Sequence, residues 1–242
     1  MFGAAERGAR ERPRHGPRRS PPGEARRPLR TVFFDLGETL VSEQRAWEAW
    51  ADWLDVPRER FFAVMRGVIE RGEHHRRVFE ILRPGLDVAS EEAKRAAAGV
   101  PTHEDLYDLY PDALSCLATL RAAGRRVGVA GNQHATSEAW LRRHLEPDDL
   151  VASSGSWGVE KPSAAFFRRL IELAGERPEA IAYVGDRVDN DILPAAHAGL
   201  VTVFVRRGPW GEVHARWPGV ERADLRVDEL TTAAIELIAW GR

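Results

Sequence analysis

The sequence predicts an α/β protein: a parallel sheet with helices on both faces, interrupted by one all-helical insertion. Five short apolar runs alternate with helical patterns, which is how βα units read in sequence. The stretch 43–108 breaks the alternation and reads as helix throughout. Residues able to do chemistry fall at the ends of the apolar runs, where an open parallel sheet binds its ligands.

The first run, Leu29 to Asp35, is a buried strand ending at a carboxylate. Helical spacing then begins, with Trp47, Trp50, Trp53 and Leu54 on one face, a stripe read as the insertion's own core. Pro57 opens a second helix carrying Phe61, Phe62, Val64, Met65 and Val68, and His75 to Leu82 and Ser90 to Ala98 form two more. The α/β pattern resumes with a helix from Asp112 to Ala123, stopped by Gly124, and a second strand from Arg126 to Ala130. Asp149 to Ala152 is a weaker third strand. A serine-capped helix runs from Ser163 to Ala174 and stops at Gly175. Ala180 to Val184 and Val201 to Val205 are the fourth and fifth strands, with a last helix, Asp228 to Ile238, after a short run near Leu225. The expected organisation is a basic tail at 1–29, an α/β core at 30–42 and 109–242, and a helical cap at 43–108.

At 242 residues, with 43% hydrophobic and 30% charged residues, the composition is that of a globular chain. One cysteine, Cys116, excludes an internal disulfide and fits a reducing, cytoplasmic setting. No apolar stretch approaches the ~20 residues of a membrane helix, so no membrane partner is expected. Residues 1–30 carry nine arginines, three glutamates and five prolines, a net +6 against −8 for the remainder. Such a segment has too little apolar surface to offset its ordering entropy and is expected to be disordered. No Phe, Tyr or Trp lies between Arg7 and Arg30 to stack on a base, so nucleic acid is not an expected partner. The basic residues comprise 33 arginines and two lysines, Lys94 and Lys161. A lysine that persists against that bias marks a place needing a compact ammonium.

Asp35 ends the first strand, Gly131 and Asn132 end the second, Lys161 follows the third, and Asp186 and Asp191 follow the fourth. If these ends converge, Asp35, Asp186 and Asp191 crowd one crevice with a formal −3 charge and would take up protons unless compensated. Lys161 supplies +1 and a divalent cation the rest. Oxygen donors without histidine or cysteine select a hard ion, Mg2+. A carboxylate placed like Asp35 can attack phosphorus and split one hard displacement into two easier ones.

Four ordered segments resemble the motifs of the haloacid dehalogenase (HAD) superfamily. They are Asp35-x-Gly37-x-Thr39-Leu40, the strand into Gly131-Asn132, Lys161-Pro162, and Gly185-Asp186-x-x-x-x-Asp191. The resemblance spans residues 30 to about 240. It implies a Rossmann-like core, a cap inserted after the first motif, Asp35 as nucleophile with Lys161, and a hydrolase acting on a small phosphorylated metabolite. It also implies Mg2+ held by Asp35, the main-chain carbonyl of Gly37 and Asp186, with Asp191 supporting, and phosphoryl contacts from the Gly131-Asn132 segment.

Two positions depart from that pattern. Gly37 stands where phosphatases of the superfamily carry a second aspartate, the general acid and base, and Gly131 stands where they carry serine or threonine. Losing a general acid costs roughly 10² to 10⁴ in rate, so slow turnover is expected, with Glu38 or His134 as substitutes. Two other readings stay open: a carbon–halogen or carbon–phosphorus hydrolase, the latter needing a cap lysine for which Lys94 is the one candidate, and a non-catalytic protein holding Mg2+ and a phosphorylated ligand. His74, His75 and His103 read as solvated, and Arg206 to Trp210 as a turn with a packed tryptophan.

Overall fold

In the computed structural model, which describes residues 27–241, the chain starts as β1 (Thr31–Phe34) and turns into β2 (Val41–Ser42). It then runs through α1 (Gln44–Trp53), α2 (Arg58–Glu70), α3 (Arg77–Leu82) and α4 (Val88–Ala97) and returns at β3 (Asp108–Leu109). Next come α5 (Ala113–Ala122), β4 (Arg126–Gly131), α6 (Ser137–Arg142), β5 (Leu150–Ser153), α7 (Ser154–Trp157) and α8 (Ala164–Ala174). The chain closes with β6 (Ile181–Gly185), α9 (Leu193–His197), β7 (Val201–Val205), α10 (Gly208–His214), β8 (Leu225–Val227) and α11 (Leu230–Ala239). The basic tail lies outside the described residues except for 27–29.

Six strands pair in the order β5-β4-β1-β6-β7-β8, all parallel, giving the Rossmann-like sheet that the alternation predicts. The central strands are buried on both faces, so they read as continuous apolar runs. Their side chains still divide with period two. Val32, Phe34, Ala182 and Val184 join the core beneath α5 and α11, whereas Phe33, Ile181 and Tyr183 join that beneath α8. The α8 boundaries follow their sequence signals: Ser163 Oγ accepts from Ala165 N at 3.2 Å, and Gly175 ends the helix at φ 65°.

The helices of 44–97 bury a core of their own, including Trp47, Trp50, Phe61, Met65 and Phe79, as the aromatic spacing predicts. Trp210 of α10 joins that core, 6.3 Å centroid to centroid from Trp47, and so binds the insertion to the sheet layer.

Several elements were not legible. β2 and β3 pair antiparallel, Val41 with Leu109 and Ser42 with Asp108, and tie the two ends of the helical insertion together. Two-residue strands carry no alternation to read. Residues 208–214 are helical rather than a simple turn; Gly208 and Gly211 hide the pattern, though Pro209 in the first turn is compatible with it. The third strand is displaced by one residue, because the Asp149 carboxylate is taken by Arg121 and by Glu146 N.

Candidate active site

Asp35 N donates to Val184 O at 2.9 Å, prolonging the β1–β6 ladder and fixing the carboxylate at the carboxyl edge of the sheet. Lys161 Nζ lies 2.9 Å from Asp35 Oδ1 and 2.6 Å from Asp191 Oδ1. Burial alone would lower the pKa of this ammonium, but Asp191 and Asp35 outweigh it and hold Lys161 well above the ordinary lysine range. The Tyr183 ring, 5.4 Å away, backs the charge, and its hydroxyl is spent on Ala130 O at 2.7 Å. The persistence of a lysine here, against the bias towards arginine, thus has a physical reason: one compact ammonium bridges two carboxylates, a geometry that a planar guanidinium does not reproduce.

Asn132 meets this lysine through the backbone. Its Oδ1 accepts from Lys161 N at 2.7 Å and its Nδ2 donates to Lys161 O at 2.9 Å. Both ends of the amide are therefore engaged with the lysine loop, which leaves the main chain at Gly131 and Asn132, rather than this side chain, to face a ligand.

The π-helical turn Val188–Ile192 after β6 carries Asp191, whose Oδ2 accepts from Arg187 N at 2.9 Å. Carboxylate oxygens of Asp35, Asp186 and Asp191 lie within 4.8 Å of one another, all three residues buried. Burial first, then Asp191 and Asp35, push Asp186 well above the usual carboxylate range. Asp191 is raised to about 6, burial outweighing the pull of Lys161. Asp186 Oδ2 is buried without a hydrogen-bond partner. An orphaned oxygen amid oxygen-only donors is what a hard divalent ion would satisfy, so the residues fit magnesium.

The turn is anchored from behind by His214, whose Nδ1 accepts from Val188 N at 2.9 Å while its ring stacks on Trp217. Burial, together with Arg187 and against Asp189, depresses His214 to about 4. The folded chain holds this imidazole neutral, whereas the unfolded chain protonates it near 6.5. Its contribution is therefore complete above about pH 6.5 and is lost as pH falls towards 4, up to about 3 kcal/mol. Denaturant unfolding at pH 7.5 and 4.5 should show a pH-dependent loss that is smaller by that amount in His214→Asn. Equal losses in both proteins would refute the assignment.

Both glycine departures have neighbours packed into the vacant space. A Cβ on Gly131 would collide with Asp35 Oδ1 and with the Gln133 amide, whose Nε2 reaches Asp35 Oδ1 at 3.5 Å and whose Oε1 is buried without a partner. A Cβ on Gly37 would lie 2.8 Å from Glu43 Oε1 and 2.9 Å from Glu43 Cδ. Sequence reasoning missed both side chains, since neither occupies a motif position.

Of the substitutes expected for the missing acid, Glu38 adopts φ 53° and turns its carboxylate away, accepting from Glu43 N at 3.1 Å and Tyr110 Oη at 2.7 Å. Burial and the charge of Glu43 raise it to about 7. His134 is exposed. His75 and His103 are not solvated: each is half-buried edge-on to Trp47, and His103 Nε2 lies 3.3 Å from Glu43 Oε1. Lys94 is 60% exposed and paired with Glu91, remote in character from a buried catalytic amine.

A family model described as haloacid dehalogenase-like hydrolase matches residues 29–199. A glyceraldehyde 3-phosphate phosphatase of Methanopyrus kandleri is 31% identical over 208 residues, 78% of this chain and 88% of that protein. A phosphoserine phosphatase of Thermus thermophilus is 31% identical over 161 residues, 64% of each chain. Among solved structures, a HAD phosphatase from Thermococcus onnurineus superposes with a TM-score of 0.56 at 20% identity, covering 86% of this chain and 98% of that one, a likeness of fold. With the sheet order, the ordered motifs and the family match in agreement, this chain belongs to the haloacid dehalogenase-like hydrolases.

Proposed function

We propose that the chain is a magnesium-dependent phosphomonoesterase acting on a small phosphorylated metabolite through an aspartyl phosphate on Asp35. The carrying observation is the Lys161 ammonium held between Asp35 and Asp191 beside the unpartnered Asp186 oxygen. The relatives named for glyceraldehyde 3-phosphate and phosphoserine favour a phosphate on a three-carbon skeleton.

In this reading an Asp35 oxygen attacks phosphorus in line with the leaving oxygen. Lys161 orients that carboxylate and offsets charge on the transferring group. Asn132 sets the height of the lysine loop through its two backbone contacts. The Gln133 amide stands in the space opened by Gly131 and supplies the donor that serine or threonine gives elsewhere. Asp35, Asp186 and the Gly37 carbonyl would hold the ion, with Asp191 behind them. When bound, magnesium neutralises charge on the phosphoryl oxygens. The helices of 44–97 act as a cap that keeps bulk water from the phosphoenzyme.

The test is phosphate release. With Mg2+ the chain should hydrolyse glyceraldehyde 3-phosphate or phosphoserine, and chelation should stop it. Saturating Mg2+ should also raise the unfolding free energy, by about 2.7 kcal/mol at a hundredfold excess over Kd, an effect that Asp186→Asn removes. Failure to release phosphate from any three-carbon phosphomonoester would sink the proposal.

A further inference from the structure

Glu43 is the N-cap residue of α1, yet its carboxylate makes no capping hydrogen bond. It turns instead into the space beside Gly37, where all three atoms of the carboxylate group lie within 3.2 Å of the Cβ an aspartate there would have. Two contacts hold this residue, and a third braces its partner Glu38. Glu38 Oε1 accepts from Glu43 N at 3.1 Å, Tyr110 fixes Glu38 in turn at 2.7 Å, and His103 Nε2 meets Glu43 Oε1 at 3.3 Å. The Glu43 side chain is 18% exposed, so it is sheltered but open to a ligand. The position it fills lies two residues after the nucleophile, Asp35, on the same turn.

We propose that Glu43 is the general acid and base of this hydrolase, contributed by the start of the helical insertion in place of the side chain that Gly37 lacks. The proposal rests on the phosphomonoesterase reading. In the first half-reaction Asp35 forms a bond to phosphorus, the bond from phosphorus to the ester oxygen breaks, and the Glu43 carboxyl gives its proton to that oxygen, releasing the alcohol. In the second, the Glu43 carboxylate takes a proton from water as its oxygen bonds to phosphorus. The bond from phosphorus to Asp35 breaks, phosphate leaves, and both carboxyl groups return to their starting states. His103 is a positioning residue for Glu43. Glu38, locked by Tyr110 and the Glu43 amide, keeps the turn in shape.

Leaving-group dependence tests this. Glu43→Gln should lower kcat on glyceraldehyde 3-phosphate or phosphoserine roughly 10²- to 10⁴-fold. On 2,4-dinitrophenyl phosphate, whose leaving group needs no proton, the first turnover should proceed within about threefold of wild type. Dinitrophenolate should then appear as a stoichiometric burst, with acid-quenched phosphoenzyme accumulating because water is no longer activated. Clearing the space with Glu43→Ala and adding Gly37→Asp should recover at least tenfold of the alkyl-phosphate rate over Glu43→Ala alone, which also answers the case of a Glu43→Gln protein that folds poorly. Wild-type activity on alkyl phosphates with an indifferent Glu43→Gln, or equal losses on both substrates with no burst, would overturn the Glu43 assignment alone. A wild-type protein cleaving neither substrate would overturn the phosphomonoesterase reading as well.

Discussion

Asp35→Asn is expected to abolish phosphomonoester hydrolysis, by roughly 10⁴-fold or more, as removal of a covalent nucleophile does when the rest of a site is intact. The size follows from the geometry. Asp35 is fixed by the β6 ladder, and its Oδ1 is held by Lys161 at 2.9 Å, so one of its carboxylate oxygens is oriented before substrate arrives. Carboxylate oxygens of Asp186 and Asp191 lie within 4.8 Å of it, Asp186 with an unpartnered Oδ2 and Asp191 paired with Lys161. Asparagine keeps the shape and loses both charge and nucleophilicity. Phosphate release under saturating Mg2+ and acid-quench labelling should both fall to background while the unfolding midpoint stays near or above wild type, since one buried negative charge has gone. An Asp35→Asn protein within tenfold of wild type would remove the nucleophile from this position.

Lys161→Met should produce the largest stability change. The ammonium is 1% exposed and compensates two carboxylates, so its loss strands Asp35 and Asp191 in a dry crevice beside an already uncompensated Asp186. Breaking a buried ion pair by removing one partner typically costs 3–5 kcal/mol, about what is expected here without metal. Two adjustments should recover part of it: Mg2+, which supplies positive charge to the same cluster, and Asp191→Asn, which removes one orphaned charge. The double variant should lie well above the sum of the single losses in a denaturant series, a coupling of about 1–3 kcal/mol. Strict additivity would mean that Lys161 and Asp191 do not depend on each other.

The elements most legible in sequence were those with a period. Strand β1 and the aromatic face of α1 each carry their signal over several residues, Gly175 adds a sharp stop, and Asp35, Lys161, Asp186 and Asp191 sit at fixed places relative to such elements. Glu43 and Gln133 carry no such mark. They work because a neighbouring glycine leaves room, and which side chain fills that room depends on a turn held by Glu38 and Tyr110, contacts 72 residues apart. For Asn132 the motif position was legible, whereas the direction of its amide was not, being set by the lysine loop. His103 gave no signal, since its partner Glu43 lies 60 residues earlier.

The unequal exposure of the two lysines has a practical consequence. Lys94 stands 60% open on the insertion, whereas Lys161 is sealed behind two carboxylates. Of the side-chain amines, an acylating dye should therefore tag Lys94 on the helical layer and spare Lys161, the chain's α-amine being labelled as well. Label found at Lys161 would report that the crevice has opened.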